Sequence, residues 1–264
     1  MDFNYKEKYN FDDLVKIMKI LRAPGGCPWD AEQNHESIRR NFIEETYEAV
    51  EAIDTCNSEL LCEELGDVML QVVFHAEISE GEGDFNIDDV CDGICKKLII
   101  RHPHVFGDVK ADTSEKVLEN WDKIKMQTKS QTTYTETLKS VSPALPALIR
   151  AEKVQHKAHK CGFDWDDISG ALDKLSEEVS ELRDAVAKGE KAAVSDELGD
   201  VLFSAVNVSR FVDVDSEKAL SDSTEKFIYR FSKVEEIAAQ KGIDMKTATI
   251  SQLDAIWDEV KTSK

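Results

Sequence analysis

Glu177-Glu178-Val179-Ser180-Glu181, followed by Glu197-Leu198-Gly199-Asp200, decides how this chain is read. Glu178 and Glu181 are three residues apart, as are Glu197 and Asp200. On a helix, that spacing stacks two side chains on one face, one turn apart. Two such helices folded against each other aim four carboxylates at one point. Left alone, the cluster repels itself, and a divalent cation is the simplest partner that makes it tolerable. Oxygen donors in that number suit Mg2+, Mn2+ or Ca2+.

The pattern occurs twice. Glu44-Glu45-Thr46-Tyr47-Glu48 and Glu64-Leu65-Gly66-Asp67 repeat it 133 residues earlier, with the same gap between the two motifs. Lys97 and Arg101 echo Lys226 and Arg230, Trp121-Asp122 and Lys125 echo Trp257-Asp258 and Lys261, and Trp29-Asp30 echoes Trp165-Asp166. Two copies of so long a unit make tandem domains rather than a solenoid.

Length and composition agree. A chain of 264 residues with 41% hydrophobic content has room for two domains with their own cores. The formal net charge of -20 argues against a nucleic-acid polymer as partner, because a phosphate backbone requires a basic surface. Six cysteines form no C-x-x-C pair and do not repeat between the copies, so they read as reduced thiols of a cytoplasmic protein. The polar start, Met1 to Glu7, lacks the apolar stretch of a signal peptide, and no apolar run has the length of a membrane span.

Taken in order, Leu14, Ile17 and Leu21 predict a helix over 12–22, broken by Pro24-Gly25-Gly26-Cys27-Pro28. A helix over about 32–54 is expected to bury Ile38, Phe42, Tyr47, Val50 and Ile53. Helices over about 58–80, 87–101 and 113–127 follow. Residues 127–142, half of them Ser or Thr, read as a linker between an N-terminal domain (1–126) and a C-terminal domain (143–264). The second domain repeats the order, with helices to about 160 and over about 171–188, a helix carrying Val194, Leu198, Val201, Ala205 and Val208, and helices over about 216–241 and 251–261. The stripe Leu172, Leu175, Val179, Leu182 and Val186 is expected to face the core. No stretch reads as a strand, so the fold class is all-α, two helical bundles in tandem.

A run of Glu on a helix is usually a solvated face. The second acidic pair, after the same gap in both copies, favours a metal site, since solvated faces have no reason to keep a gap. Di-iron bundles need E-x-x-H on two helices; here Glu32 to His35 is unrepeated, and Asp takes the key position, which favours magnesium. His102-Pro103-His104 reads as a turn. Lys226 and Arg230 share a helix face, and beside a carboxylate–metal site they suit a polyphosphate. Trp257 fits either an aromatic face for a nucleotide or a core position. There is no Walker A loop and no complete Rossmann glycine pattern, so phosphates must be held by metal and cations.

These motifs resemble the all-α nucleoside triphosphate pyrophosphohydrolases, and the tandem arrangement is similar to the MazG family along nearly all the chain. The resemblance rests on Gly26-Cys27-Pro28-Trp29-Asp30, the two acidic pairs, Arg101 to Phe106, Gly162-Phe163-Asp164-Trp165, and Lys226 with Arg230. It implies hydrolysis of NTPs and dNTPs to the monophosphate and pyrophosphate, housecleaning of nucleotide pools, Mg2+ dependence (Mn2+ substituting) and a homodimer. It implies Glu178, Glu181, Glu197 and Asp200 as metal ligands, with Glu45, Glu48, Glu64 and Asp67 a weaker N-terminal set. Lys174, Glu177, Lys226, Arg230, Trp257 and Lys261 would line the nucleotide site, and Glu177 would orient or deprotonate the water. Relatives carry a Lys where this chain has Ala193, with Lys191 nearby. The alternative from another class is a regulatory helical protein that binds nucleotide and cation without turnover; pyrophosphate release separates the two. The C-terminal copy is the expected catalyst, because Lys226 and Arg230 lie within a long helix whereas Arg101 precedes the helix-ending Pro103.

Overall fold

The computed structural model describes residues 3–117, 120–121, 124 and 133–262. Among these residues the regular structure is helical throughout. The chain divides into two units, Met1–Lys125 and Met126–Lys264.

In the first unit, Asn10 opens α1 (Phe11–Arg22) with a capping box shared with Asp13. The chain then turns so tightly that a Cβ on Gly26 would collide with the carbonyl oxygens of Ile20 and Leu21; only glycine fits. A short α2 (Pro28–Glu32) follows. The helix expected from residue 32 does not continue from there. Residues 33–38 form a turn, and α3 (Arg39–Asp54) starts after it. Asn34 is the cause: its side chain accepts the N–H groups of Glu36 and Ser37, both at 3.0 Å, offering the backbone a local substitute for helix bonds. His35 lies in that turn, its Nδ1 2.7 Å from Nδ1 of His75.

Asn57 caps α4 (Ser58–Glu82), which Gly83 closes in the left-handed conformation at φ 83°. Asn86 and Asp89 box the start of α5 (Ile87–Arg101). Pro103 then begins the short α6 (Pro103–Phe106), so of the stretch His102-Pro103-His104, read as a turn, His102 alone separates the two helices while Pro103 and His104 are helical. The helix expected over 113–127 lies partly outside the described residues, of which 114–117, 120–121 and 124 are helical. Met18, Ile38, Val73, Phe74 and Ile78 form the core of this unit.

The second unit, from Met126, takes in the stretch read as linker. Residues 127–132 lie outside the described residues, but α7 (Tyr134–Lys139) is a helix with a Thr133–Glu136 capping box. Thr137 and Val141 are buried and Thr133 caps the helix, while Thr135 and Ser142 are exposed. Then come α8 (Ala147–Lys160), α9 (Ile168–Lys188), α10 (Lys191–Phe211), α11 (Ser216–Gln240) and α12 (Ile250–Thr262). Gly189 ends α9 at φ 76° and leaves only one further residue before α10, so the two helices fold back as a tight hairpin. Val234, Ala238, Ile256 and Val260 form the core of α11 and α12.

Both apolar stripes differ from expectation in the same way. In α3, Tyr47, Val50 and Ile53 are 49%, 45% and 57% exposed, whereas Ala49 and Ala52 are buried. In α9, Leu172, Val179 and Val186 are exposed, whereas Ala171, Glu178 and Ala185 are buried. Along these two helices the small residues take the buried positions, which lets backbones approach closely, and the named large ones stay outside; on α4, by contrast, Val73, Phe74 and Ile78 are buried. All of α5 lacks a buried residue, although Val90, Ile94 and Leu98 lie along it.

Candidate active site and metal centre

The turn after α9 fixes the register of the hairpin, and the register brings the acids together. Glu178, Glu197 and Asp200 each offer a carboxylate oxygen within 4.8 Å of the others. Glu178 is 5% exposed. Burial pushes the Glu181 carboxyl above its ordinary range, and the neighbouring charges of Glu178 and Glu197 add to it, so Glu181 borders the same cluster. Lys174 is the one cation bonded there among the described residues: its Nζ lies 2.6 Å from Glu178 Oε1 and 3.0 Å from Glu177 Oε1. Those two hydrogen bonds, to Glu178 first, hold the Lys174 ammonium well above its usual range. One cation against so many acids leaves the cluster strongly negative. Hard oxygen donors, crowded and short of positive charge, fit a hard divalent cation.

The N-terminal hairpin keeps the acids but not their surroundings. Glu45, Glu48 and Glu64 lie within the same 4.8 Å. Glu64 is buried with Oε2 lacking any hydrogen-bond partner. Burial raises both Glu45 and Glu64, and the facing acids, Asp67 among them, raise them further. The position corresponding to Lys174 is Asn41, and the nearby Arg40 pairs with Glu44 at 2.7 Å instead.

The other expected nucleotide-site residues lie on α11 and α12. Lys226 is exposed and Arg230 half-buried, and neither forms an ion pair among the described residues. Trp257 packs on the α11–α12 core and on Phe227, ring centroids 5.3 Å apart. Lys261 Nζ lies 5.9 Å from the Trp257 ring centroid and bonds Asp258 at 3.3 Å. In the first unit, Arg101 rests on Trp121, 4.8 Å from the ring centroid; Asp122 and Lys125 lie outside the described residues. Lys191 is exposed in the first turn of α10, two residues before Ala193.

A feature the sequence did not single out opens beside Lys174. A cavity of about 610 Å³ lies between α7, α8, the 162–165 loop, α9 and α10, and Lys174 lines it. Its wall is mostly apolar, with Phe163, Trp165 and Phe203 prominent. Trp165 occupies space that a Cβ on Gly170 would fill. Three buried polar side chains break that wall: Gln155, Ser204 and Asn207. At its rim, Arg210 Nη2 bonds Asp164 Oδ1 at 2.6 Å, and His159 Nδ1 bonds Asp164 Oδ2 at 2.7 Å. Burial pushes Asp164 up, but the bonds from Arg210 and from the Trp165 N–H outweigh it and hold the carboxyl below its ordinary range. Ser204 and Asn207, which interrupt the apolar run Val201 to Val208 of α10, were the available signal. In the other copy the counterpart of Asn207 is Phe74, a core residue.

The profile of the MazG nucleotide pyrophosphohydrolase domain matches twice, at residues 33–106 and 168–235, each match spanning one acidic hairpin. The chain is 44% identical to the nucleoside triphosphate pyrophosphohydrolase/pyrophosphatase MazG of Thermotoga maritima, over 95% of both chains. It is 40% identical to the nucleoside triphosphate pyrophosphohydrolase of Escherichia coli K12, over 95% of this chain and 96% of that one. With both acidic hairpins inside the matched segments and the likeness running from end to end, the chain belongs to the MazG nucleotide pyrophosphohydrolase family.

Proposed function

We propose that the chain hydrolyses nucleoside triphosphates, ribo and deoxy, to the monophosphate and pyrophosphate, clearing nucleotide pools in the cytoplasm, with catalysis at the C-terminal hairpin. The observation that carries this reading is the convergence of Glu178, Glu197 and Asp200 on one point beside Lys174. Mg2+ is the proposed cation, with Mn2+ as a substitute, held by those three acids and Glu181. Bound there, it would withdraw electrons from the α-phosphate and acidify a water. The chain supplies the rest. Glu177, exposed and hydrogen-bonded to Lys174, is proposed to accept the proton of the attacking water. The water oxygen bonds to the α-phosphorus, the bond to the bridging oxygen breaks, and pyrophosphate leaves with that electron pair. Lys226 and Arg230, without ion pairs among the described residues, are proposed to hold its charge. Trp257 and Lys261 flank the nucleotide.

Incubation with Mg2+ and an NTP is expected to yield the monophosphate and pyrophosphate in equal amounts, and chelation of the cation to stop it. Ion chromatography of the products checks this; orthophosphate with a diphosphate would overturn it.

The N-terminal copy is proposed to serve assembly rather than turnover. It lacks the counterpart of Lys174. The large apolar residues that α3, α5 and α9 leave exposed support a homodimer, since such faces mark interaction surfaces. Light scattering at micromolar protein is expected to give twice the 29.7 kDa chain mass; a monomer would refute the dimer. Neither a nucleic-acid polymer nor a membrane is proposed as partner, and among the described residues no helix is long and apolar enough to cross a membrane.

A further inference from the structure

We propose that the cavity beside Lys174 is the seat of the nucleobase, and that Gln155 makes the enzyme select bases that carry an N–H on their edge. The inference rests on the activity proposed above and adds to it the group by which the substrate's base is read.

Three observations carry it. The first is placement. The Lys174 side chain lines the cavity while its ammonium bonds Glu178, so the cavity borders the carboxylate cluster directly. A nucleotide whose phosphates face the acids has its base within reach of this space. The second is the wall. Phe163, Trp165 and Phe203 give aromatic and apolar surface suited to a flat heterocycle, and about 610 Å³ accommodates a purine.

The third is the state of two buried carboxamides. Gln155 Nε2 donates to the Phe203 carbonyl at 2.7 Å. That bond fixes which way round the amide sits, because the reversed group would set oxygen against oxygen. Its Oε1 is left as an acceptor, buried and without any hydrogen-bond partner. Gln155 is 6% exposed, so water does not readily satisfy it. An orphan acceptor of this kind costs on the order of 1–3 kcal/mol, which a ligand donor recovers. Asn207 is fixed in the same manner from the opposite end. Its Oδ1 accepts from Arg210 Nε at 3.0 Å, which leaves the Asn207 amide N–H groups to donate. The site therefore offers one acceptor and one donor. That pair matches the amino group and ring nitrogen of adenine or cytosine, and equally the ring N–H and carbonyl of guanine or uracil. It does not match a heterocycle without a donor. In the N-terminal copy, Phe74 stands in place of Asn207 and Gln71 in place of Ser204, and Phe74 is packed in the core. Gln71 also keeps a buried, unpartnered Oε1, but with Phe74 in the core no amide donor stands beside it as Asn207 does in the C-terminal copy.

The test compares ATP with the triphosphate of unsubstituted purine riboside, which lacks the amino group and any ring N–H on that edge. The wild-type chain is expected to favour ATP in kcat/KM by about tenfold or more, the cost of leaving the acceptor unpaired. Gln155→Leu, which keeps the volume and removes the acceptor, is expected to bring the ratio close to one by lowering the ATP value. Calorimetry with adenosine and purine riboside, free of phosphate and divalent cation, should show the same preference. Equal kcat/KM for the two triphosphates in the wild type, with pyrophosphate released from both, would overturn the base-reading role while leaving the activity standing. Adenosine binding that depends on Gln155, without pyrophosphate from any triphosphate, would uphold the seat and overturn the activity. Should Gln155→Leu lose its helical circular dichroism, the wild-type ratio decides alone.

Discussion

Glu181→Gln and Asp200→Asn are each expected to lower kcat/KM by several powers of ten, while Glu48→Gln leaves most of the activity in place. Each replacement keeps size and shape and removes one negative charge from a hairpin that gathers several. A divalent cation held by hard anionic oxygens loses both affinity and acidifying power when a carboxylate becomes an amide, and groups acting as a unit fail together. Glu48 belongs to an equivalent acidic cluster, but Asn41 and Phe74 replace the Lys174 and Asn207 that accompany its C-terminal counterpart. Loss of activity in Glu48→Gln with retention in Glu181→Gln would reverse the assignment of the working copy.

The same substitutions separate chemistry from folding. The Glu181 carboxyl is raised above its ordinary range, so the folded state binds its proton more readily than the unfolded state does. Without metal, an ionised Glu181 therefore opposes folding at neutral pH. Metal-free Glu181→Gln is expected to melt no lower than the wild type, and calorimetry reads this directly. A lower melting temperature would mean that Glu181 is held by favourable contacts.

Asp164→Ala is expected to destabilise the C-terminal unit by about 3 kcal/mol. Asp164 and Arg210 side chains are each 11% exposed and meet at 2.6 Å. Removing the acid leaves a guanidinium nearly buried and deprives His159 of its partner. Asp164→Asn keeps an acceptor and should cost less. The pH dependence has a definite sign. The Asp164 carboxyl is held below its ordinary range, so its contribution is complete above the unfolded value near pH 4 and is lost as pH falls through the lower folded value. The variant should accordingly show a shallower acid decline. Chemical denaturation at neutral and acid pH measures both; an unchanged midpoint would show that the pair contributes nothing. Arg210 also holds Asn207, so a raised KM for ATP is expected with the loss of stability.

Much of the fold was legible in local patterns. Helical spacing, Asn and Thr caps, and Gly83 and Gly189 at helix ends act within a few residues, and the structure follows them. The break at 33–38 was missed because Asn34 competes with the helix through its own side chain, which hydrophobic periodicity does not register. The helix inside the Ser/Thr-rich stretch was missed for a related reason, since Thr133 reads as loop composition and acts as a cap.

By itself the sequence determined the duplication, the all-α class and the acidic constellation, because spacing along a helix and a repeated gap are one-dimensional properties. Only the tertiary structure decided which apolar residues are covered. Periodicity defines a face of a helix but not its neighbour, and here Ala49, Ala171 and Ala185 take the buried places while Tyr47, Val50 and Val186 stay outside. It likewise decided that Lys174 is bound to Glu178 and that a cavity opens next to it. Gln155 and the Phe203 carbonyl are 48 residues apart in the chain, and Asp164 and Arg210 are 46 apart. No local pattern pairs groups so distant; packing of α8 and the 162–165 loop against α10 brings them together, and a buried acceptor is left open where that packing ends.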